Sequence, residues 1–375
     1  MTRRGDVRQV FAVAFSVAVL ASSVTAADWP SFRGDAQLTG VARDPLPDKL
    51  STAWTFQAPG GIESTAAISS GTVFVGSVDG TLQALDLATG KPRWAYAAGQ
   101  PIKSSPTVAG GLVYVGDEGG TMHAVDAATG KRRWVFQAEA SIVSSAALAG
   151  GRLIFGSHDN NVYALAAADG SLAWKLSTGS YVYATPAVIE GKEGPSVVVS
   201  GCDGLLRVVR VKDGVETMKV DAGGYMGASA AVAGTRAFVG TFENQFVAVD
   251  LKQGAVAWRY EHPEKKFPYY ASAALAGDLV IVGGRDKMVR ALRQANGEPV
   301  WTTSLKGRVD ASPVVAGSRV VAASVAGELV LLDLASGKTV WEFETGASLA
   351  ASPSVGGGFL IIGNTAGTLF AFGKA

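Results

Sequence analysis

Ser104-Ser105-Pro106-Thr107-Val108, Leu112-Val113-Tyr114-Val115-Gly116 and Gly120-Thr121-Met122-His123-Ala124-Val125-Asp126 are followed by Ala127-Ala128-Thr129-Gly130, which leads into Lys131-Arg132-Arg133-Trp134-Val135-Phe136. These are four short β-rich runs, named A to D here, divided by turn residues. Gly130 is expected to supply a positive φ in the last turn, and the Asp126 side chain to hydrogen-bond the turn backbone.

The unit recurs. Tryptophans stand at Trp54, Trp94, Trp134, Trp174, Trp258, Trp301 and Trp341, at spacings of 40, 40, 40, 84, 43 and 40, and Met218 divides the long interval into 44 and 40. From the second position onward each is preceded four residues earlier by a glycine: Gly90, Gly130, Gly170, Gly214, Gly254, Gly297 and Gly337. A period of 40 to 44 residues with four strands is that of a propeller blade. Seven units carry A to D, while an eighth, from Leu349 to Phe372, has A, B and C only, and a lone D strand around Ala53-Trp54-Thr55-Phe56 opens the series. The expected fold is therefore all-β: an eight-bladed β-propeller of four-stranded blades spanning 51–375. Its ring is closed by the N-terminal strand, which completes the last blade and hides the sheet edges. One tryptophan per blade at a fixed offset reads as architecture. Each buries about 200 Å² at about 25 cal/mol/Å², on the order of 5 kcal/mol as an upper bound.

Composition agrees. Gly is 47 of 375 residues, charged residues are 17% and apolar residues 48%, which excludes a coiled coil, a disordered chain or a helical bundle. Lys plus Arg number 33 against 32 Asp plus Glu, so no general field draws the chain to nucleic acid or anionic lipid. The single cysteine, Cys202, permits no intrachain disulfide and no Cys-based zinc site. His123, His158 and His262 lie too far apart to form a short-range ligand pair. Arg3, Arg4 and Arg8, the apolar run Val10–Ala21 and Val24-Thr25-Ala26 fit a signal peptide over 1–26, implying a periplasmic or extracellular protein with no transmembrane anchor after cleavage. With no cysteine near the cleavage site, lipoprotein processing is not expected there.

Asp126-Ala127-Ala128-Thr129-Gly130-Lys131-Arg132-Arg133-Trp134 and its partner at 86–94 resemble the repeat of pyrroloquinoline-quinone-type propellers over nearly all of 50–375. That family includes quinoprotein alcohol dehydrogenases and the propeller lipoprotein of the outer-membrane β-barrel assembly machinery. The resemblance implies the propeller, and for the dehydrogenases a quinone with calcium or a lanthanide. Many dehydrogenases place an adjacent Cys-Cys pair beside the quinone, which one cysteine cannot form, and their acidic metal ligands and catalytic aspartate match no residues here. The lipoprotein's lipidated cysteine is also absent. Asp28-Trp29-Pro30-Ser31-Phe32-Arg33-Gly34, within a strap over 27–50, resembles the start of exported repeat proteins and is expected to pack on the propeller flank.

No catalytic motif stands out. Gly337-Lys338-Thr339 lacks the upstream glycine of a phosphate loop, and no Gly-x-Ser-x-Gly or His-Glu-x-x-His occurs. Cys202 reads as a tolerated turn residue. The informative positions are those that fail to repeat. Two residues before the Ser/Thr that begins each A strand, the column runs Glu63, Lys103, Val143, Tyr183, Gly227, Tyr270, Asp310 and Ala350. These fall at the channel mouth on the face of the D–A and B–C loops. Glu63, Lys103, Tyr183, Tyr269, Tyr270 and Asp310 are accordingly the candidate binding residues. The enlarged D–A connection 261–270 offers His262, Lys265, Lys266 and Phe267 as an interaction loop, or else is a solvated insertion. His158-Asp159-Asn160-Asn161 and Arg285-Asp286-Lys287 read as ordinary B–C turns. The expectation is an exported, monomeric, non-catalytic binding or scaffold propeller with no resident cofactor or metal, its protein or small-molecule partner unidentified. The alternatives are a quinone-dependent oxidoreductase or its remnant, and a sugar- or polymer-binding module stacking on Tyr183, Tyr269 and Tyr270.

Overall fold

A computed structural model describes residues 27–375; the leader expected over 1–26 lies outside the described residues. Within them the chain forms eight antiparallel four-stranded blades and no helix. In blade 2 the strands are Thr107–Ala109 (A), Leu112–Gly116 (B), Thr121–Asp126 (C) and Arg132–Gln137 (D), hydrogen-bonded in that order. The A strands of neighbouring blades touch one another and so line the axis, while D strands alternate exposed and half-buried residues at the perimeter. Blade 8 takes its D strand from the other end of the chain: Leu50–Gln57 runs antiparallel to Thr368–Lys374 and closes the ring.

Junctions between blades use two repeated contacts. At the perimeter six indoles donate Nε1–H to a carbonyl in the C–D turn of the next blade, as from Trp94 to Ala127 at 3.0 Å and from Trp174 to Val211 at 2.8 Å, and Trp341 donates to Leu50 at the start of the D strand of blade 8. The ring lies on the turn glycine: a Cβ on Gly130 would stand 2.8 Å from Trp94, and its φ is +71°. Both demands, positive φ and no side chain, select glycine there. Asp126 accepts the Thr129 N–H within this turn at 3.0 Å. Trp54 and Trp301 are buried, but Trp94, Trp134, Trp174, Trp258 and Trp341 are half-buried, so most fall short of the full-burial energy.

Near the axis the Ser/Thr that precedes each A strand accepts a backbone N–H from the blade before it. Seven such links, Thr65 to Ser105, Ser105 to Ser145, Thr185 to Ser229, Ser229 to Ser272, Ser272 to Ser312, Ser312 to Ser352 and Ser352 to Thr65, span 2.8–3.2 Å. Between blades 3 and 4 the Ser144 hydroxyl donates instead to the Ala184 carbonyl at 2.8 Å.

The N-terminal strap is not on the flank. It winds inside the channel, where its carbonyls accept one inner-strand N–H after another. Ala27 takes Gly357 of blade 8, Trp29 takes Ile68 of blade 1, and Pro30 takes Val108 of blade 2. Ala36 takes Val188 of blade 4, Gln37 takes Val232 of blade 5, Thr39 takes Leu275 of blade 6, and Gly40 takes Val315 of blade 7. Val41–Ala42 then pairs parallel with Val315–Ala316. The strap plugs the channel at the A–B turn end. Trp29 is buried, and the buried Arg33 guanidinium donates to the carbonyls of Ala273 (2.9 Å), Ser312 (3.2 Å) and Pro313 (2.5 Å). Burial lowers its pKa to about 9 while Asp35 pulls the other way, so it remains a cation at neutral pH.

Arg33→Ala removes the donor from three carbonyls and opens a hole under the strap. A loss of about 3 kcal/mol is expected, read as a lower urea midpoint at unchanged slope.

Candidate functional site

With one end plugged, the channel is a cup that opens on the D–A/B–C face. Its cavity measures about 460 Å³, with Phe32 of the strap in its lining. Glu63, Lys103, Val143, Tyr183, Gly227, Tyr270, Asp310 and Ala350 all line it, together with the ring of Ser/Thr hydroxyls beneath them. Below each of these residues, one position earlier in the chain, sits a buried wedge: Ile62, Ile102, Ile142, Val182, Met226, Tyr269, Val309 or Leu349. The wedge packs over the glycine or small residue that ends strand B in the preceding blade, as Ile102 does over Gly76.

Tyr269 occupies that wedge column, which removes it from the mouth. It is 3% exposed, its ring packs edge-on against Phe246, and burial raises its phenol out of the physiological range. Tyr270, its neighbour, faces the cavity. In the enlarged loop Phe267 is exposed, whereas His262 Nδ1 accepts the backbone N–H of Glu264 and Lys265, and Lys266 pairs with Glu261. Lys265 is half-buried. None of these four loop residues lines the cavity.

A second non-repeating column joins the first. The B–C turn residues Val78, Glu118, His158, Cys202, Phe242, Arg285, Val325 and Thr365 each donate a backbone N–H to the D–A loop carbonyl two residues before the column residue of the same blade, at 2.8–3.3 Å. Through this bond Glu118, His158 and Arg285 reach the cavity, although as sequence they read as turns. Their signal was their variability at a fixed distance after strand B. The Cys202 thiol rests 3.7 Å from the Met226 carbonyl, and burial pushes its pKa up.

Electrostatics divide the rim. On blades 1 and 2, Lys103 Nζ lies 2.9 Å from Glu118 and 3.8 Å from Glu63, and the Glu118 contact raises its pKa. Across the mouth, Asp310 is held by Arg285 at 2.9 Å and Arg308 at 3.1 Å, and the Arg285 guanidinium lies 4.8 Å from the Tyr270 ring centroid. Between these poles the surface is aromatic. His158 packs against Tyr183 (4.3 Å) and Tyr181 (5.2 Å). A cleft of about 630 Å³, lined by Tyr183, Tyr225, Phe242, Tyr270 and Arg285, continues outward over blades 4 to 6. Gly227 admits the rings: a Cβ there would lie 3.0 Å from Phe242 and 3.4 Å from Tyr270. Ser141 Oγ, His158 Nε2 and Asn160 Oδ1, all in blade 3 loops on this face, are buried without a hydrogen-bond partner.

A calcium–quinone pair does not fit this donor set. The lining carboxylates Glu63, Glu118 and Asp310 are already committed to cations, and among the described residues no three His, Cys, Asp or Glu side chains converge to hold a metal ion.

The eight-bladed ring, with its plugged axis and its charged, aromatic mouth, is a β-propeller. The chain belongs to the family described as outer membrane protein assembly factor BamB, whose model matches residues 48–260 and 185–375. Among solved structures it is similar to BamB from Moraxella catarrhalis (17% identity, TM-score 0.74, covering 87% of this chain and 100% of that one). It is also similar to a europium-containing methanol dehydrogenase (13% identity, TM-score 0.75, 93% and 98%) and to the computationally designed Ika8 protein (18%, TM-score 0.72, 90% and 99%). These likenesses show the fold. A curated relative, the DNA damage-responsive serine/threonine-protein kinase RqkA of Deinococcus radiodurans, is 29% identical over 136 residues, 36% of this chain but only 18% of the kinase's length.

Burial holds the His158 pKa below its ordinary 6.5, with Lys103 adding to the effect and Glu118 and Asp159 opposing it. Below pH 6.5 the unfolded chain binds this proton and the folded one resists it, so stability falls as pH drops toward the depressed folded value. An NMR titration of the His158 ring is expected to show a midpoint under 6.5, and His158→Gln to flatten that part of the stability profile.

Proposed function

We propose that this chain is an exported, non-catalytic binding propeller that holds a partner polypeptide at the D–A/B–C face. The observation that carries the reading is the convergence of the non-repeating residues. The framework repeats blade after blade, while Glu63, Lys103, Tyr183, Tyr270 and Asp310 differ from blade to blade and meet at one mouth. Exposed Tyr181, Tyr225, Phe267 and Tyr270 are large apolar side chains concentrated on that face, the composition of interface anchors. The separated Lys103 and Arg285–Asp310 poles give a partner a direction. Membership in a family described as assembly factors supports a role in handling other proteins.

The test is site-specific photocrosslinking in the exported protein. A benzophenone amino acid at positions 225 and 270 is expected to capture the same partner, while one at the exposed C–D turn position 131, on the opposite face, captures none. Lys103→Glu, which sets a third carboxylate beside Glu63 and Glu118, is expected to lower the yield from 270 by about fivefold or more. Equal capture from 131, or none from 225 and 270, overturns the reading. Titration with pyrroloquinoline quinone, with and without calcium, is expected to give no saturable heat or Trp fluorescence change; one-to-one binding would overturn the non-catalytic assignment.

A further inference from the structure

The hydroxyls that link the blades each keep one hydrogen-bonding role in reserve. Seven Ser or Thr oxygens accept the N–H of the blade before them. A hydroxyl also has a proton to donate, and none of the seven gives it to a protein acceptor among the described residues. With Thr185 they make eight residues, all lining the cup and only 4–7% exposed. The lower wall of the cavity is therefore a collar of buried hydroxyl protons without acceptors.

Arg285 adds charge above this collar. Its Nε and Nη2 bond Asp310 at 2.9 and 3.2 Å, and its guanidinium lies 4.8 Å from the Tyr270 ring centroid and 6.0 Å from that of Phe242, so its direction is fixed. Nη1 has no protein acceptor among the described residues. Asp310 is also held by Arg308, which leaves two cations for one carboxylate at blades 6 and 7. At blades 1 and 2 the ratio is inverted, with Lys103 between Glu63 and Glu118. The aromatic cleft over blades 4 to 6 shares Tyr183, Gly227, Tyr270 and Arg285 with the cup, so the two cavities form one continuous site.

The other large cavity has no such collar. It measures about 760 Å³ and lies beside Met218 on the A–B/C–D face, against a hairpin found in blade 4 alone, where A and B lengthen to Ala187–Gly191 and Gly194–Ser200. There the thioether already covers the C–D turn, 3.8 Å from where a Cβ on Gly254 would stand.

We propose that the cup takes the carboxylate of an acidic side chain on the partner polypeptide, with an apolar neighbour of that residue in the adjoining cleft. The proposal rests on the partner-binding reading and names the chemistry that the mouth recognises. An ionised carboxylate only accepts hydrogen bonds. It meets the free edge of Arg285 and the hydroxyl protons of Ser229, Ser272 and Ser312, which stand in blades 5, 6 and 7. The second cation of the Arg285–Arg308–Asp310 group balances its charge, as a desolvated anion requires. Because the collar lies beneath the rim, the group that reaches it has to be carried on a stem, which a Glu side chain supplies and a backbone carbonyl does not.

The test titrates the purified protein calorimetrically with acetyl-Gly-Phe-Glu-Phe-Gly-amide and with its Gln counterpart. The Glu peptide is expected to bind saturably at millimolar concentration or below, and the Gln peptide about tenfold more weakly. Arg285→Gln leaves Asp310 on Arg308 and keeps the backbone bond from residue 285 to the Pro268 carbonyl, and it is expected to abolish the preference for Glu. Ser272→Ala and Ser105→Ala each break one blade link, so their melting temperatures fall alike. Ser105 belongs to blade 2, opposite blade 6 in an eight-membered ring, so only Ser272→Ala is expected to weaken the Glu peptide, by about fivefold. Photocapture of the partner from position 225 is expected to fall about fivefold in Arg285→Gln. Equal affinity for the two peptides, or a Glu preference that survives Arg285→Gln, overturns the proposal. If capture from 225 persists undiminished in Arg285→Gln, the carboxylate assignment falls while the partner-binding reading stands; no capture from 225 or 270 in the unsubstituted protein overturns both.

Discussion

A backbone N–H at the mouth of one blade donates to a Ser or Thr hydroxyl of the next, and the rest of the molecule depends on that link. A four-stranded antiparallel sheet is marginal alone, and neighbouring blades here meet through small side chains near the axis, where Trp-sized residues would not fit. The hydroxyl is the smallest group that can satisfy a neighbour's amide without widening the gap. Repeated at seven junctions, it sets the spacing of the inner strands and brings the non-repeating residues two positions earlier into one rim. Indoles at the perimeter do the complementary work at larger radius, where blades splay and a bulky ring is needed.

Much of this was legible in the chain. A tryptophan every 40 or so residues, a turn glycine four positions before it and the displaced D strand around Trp54 are enough to write down eight blades and their closure. The rim column was legible too, because repeats supply their own internal alignment. Tyr269, a candidate binding residue from the sequence, is buried instead: it belongs with Ile62, Ile102 and Val182, whose uniform apolarity marks a wedge, while Tyr270 stands in the variable column and lines the cup. In the sequence His158 and Arg285 read as turn residues because Asp and Asn beside them are turn formers. The turn is real, and it is what aims those side chains into the cup.

The strap was not legible, for a physical reason. It binds the inner strands with its own backbone carbonyls, at Pro30, Ala36, Gln37, Thr39 and Gly40, and a carbonyl carries no side-chain signature. Trp29 hints at burial, but an isolated arginine such as Arg33 suggests a surface. Its burial becomes intelligible once three carbonyls of blades 6 and 7 converge on the guanidinium. Gly40 follows from Arg33, since a Cβ at 40 would overlap the Arg33 guanidinium and its φ is +65°.

A propeller made of near-identical blades has no intrinsic reason to bind at one azimuth rather than another, so specificity must come from breaks in the repeat. The breaks here fall in two places on opposite faces: the rim of the cup, and the Met218 junction with its added hairpin. The strap lies between them. Phe32 lines the cup and Gln37 lines the Met218 pocket, where its side chain also donates to the Val188 carbonyl at 3.2 Å. The strap therefore touches both cavities. Because Arg33 anchors that segment to blades 6 and 7, it cannot slide to open a through-channel without leaving a cation buried and unpaired. The cup at the mouth and the cavity beside Met218 thus stay separate, on a ring whose axis stays shut.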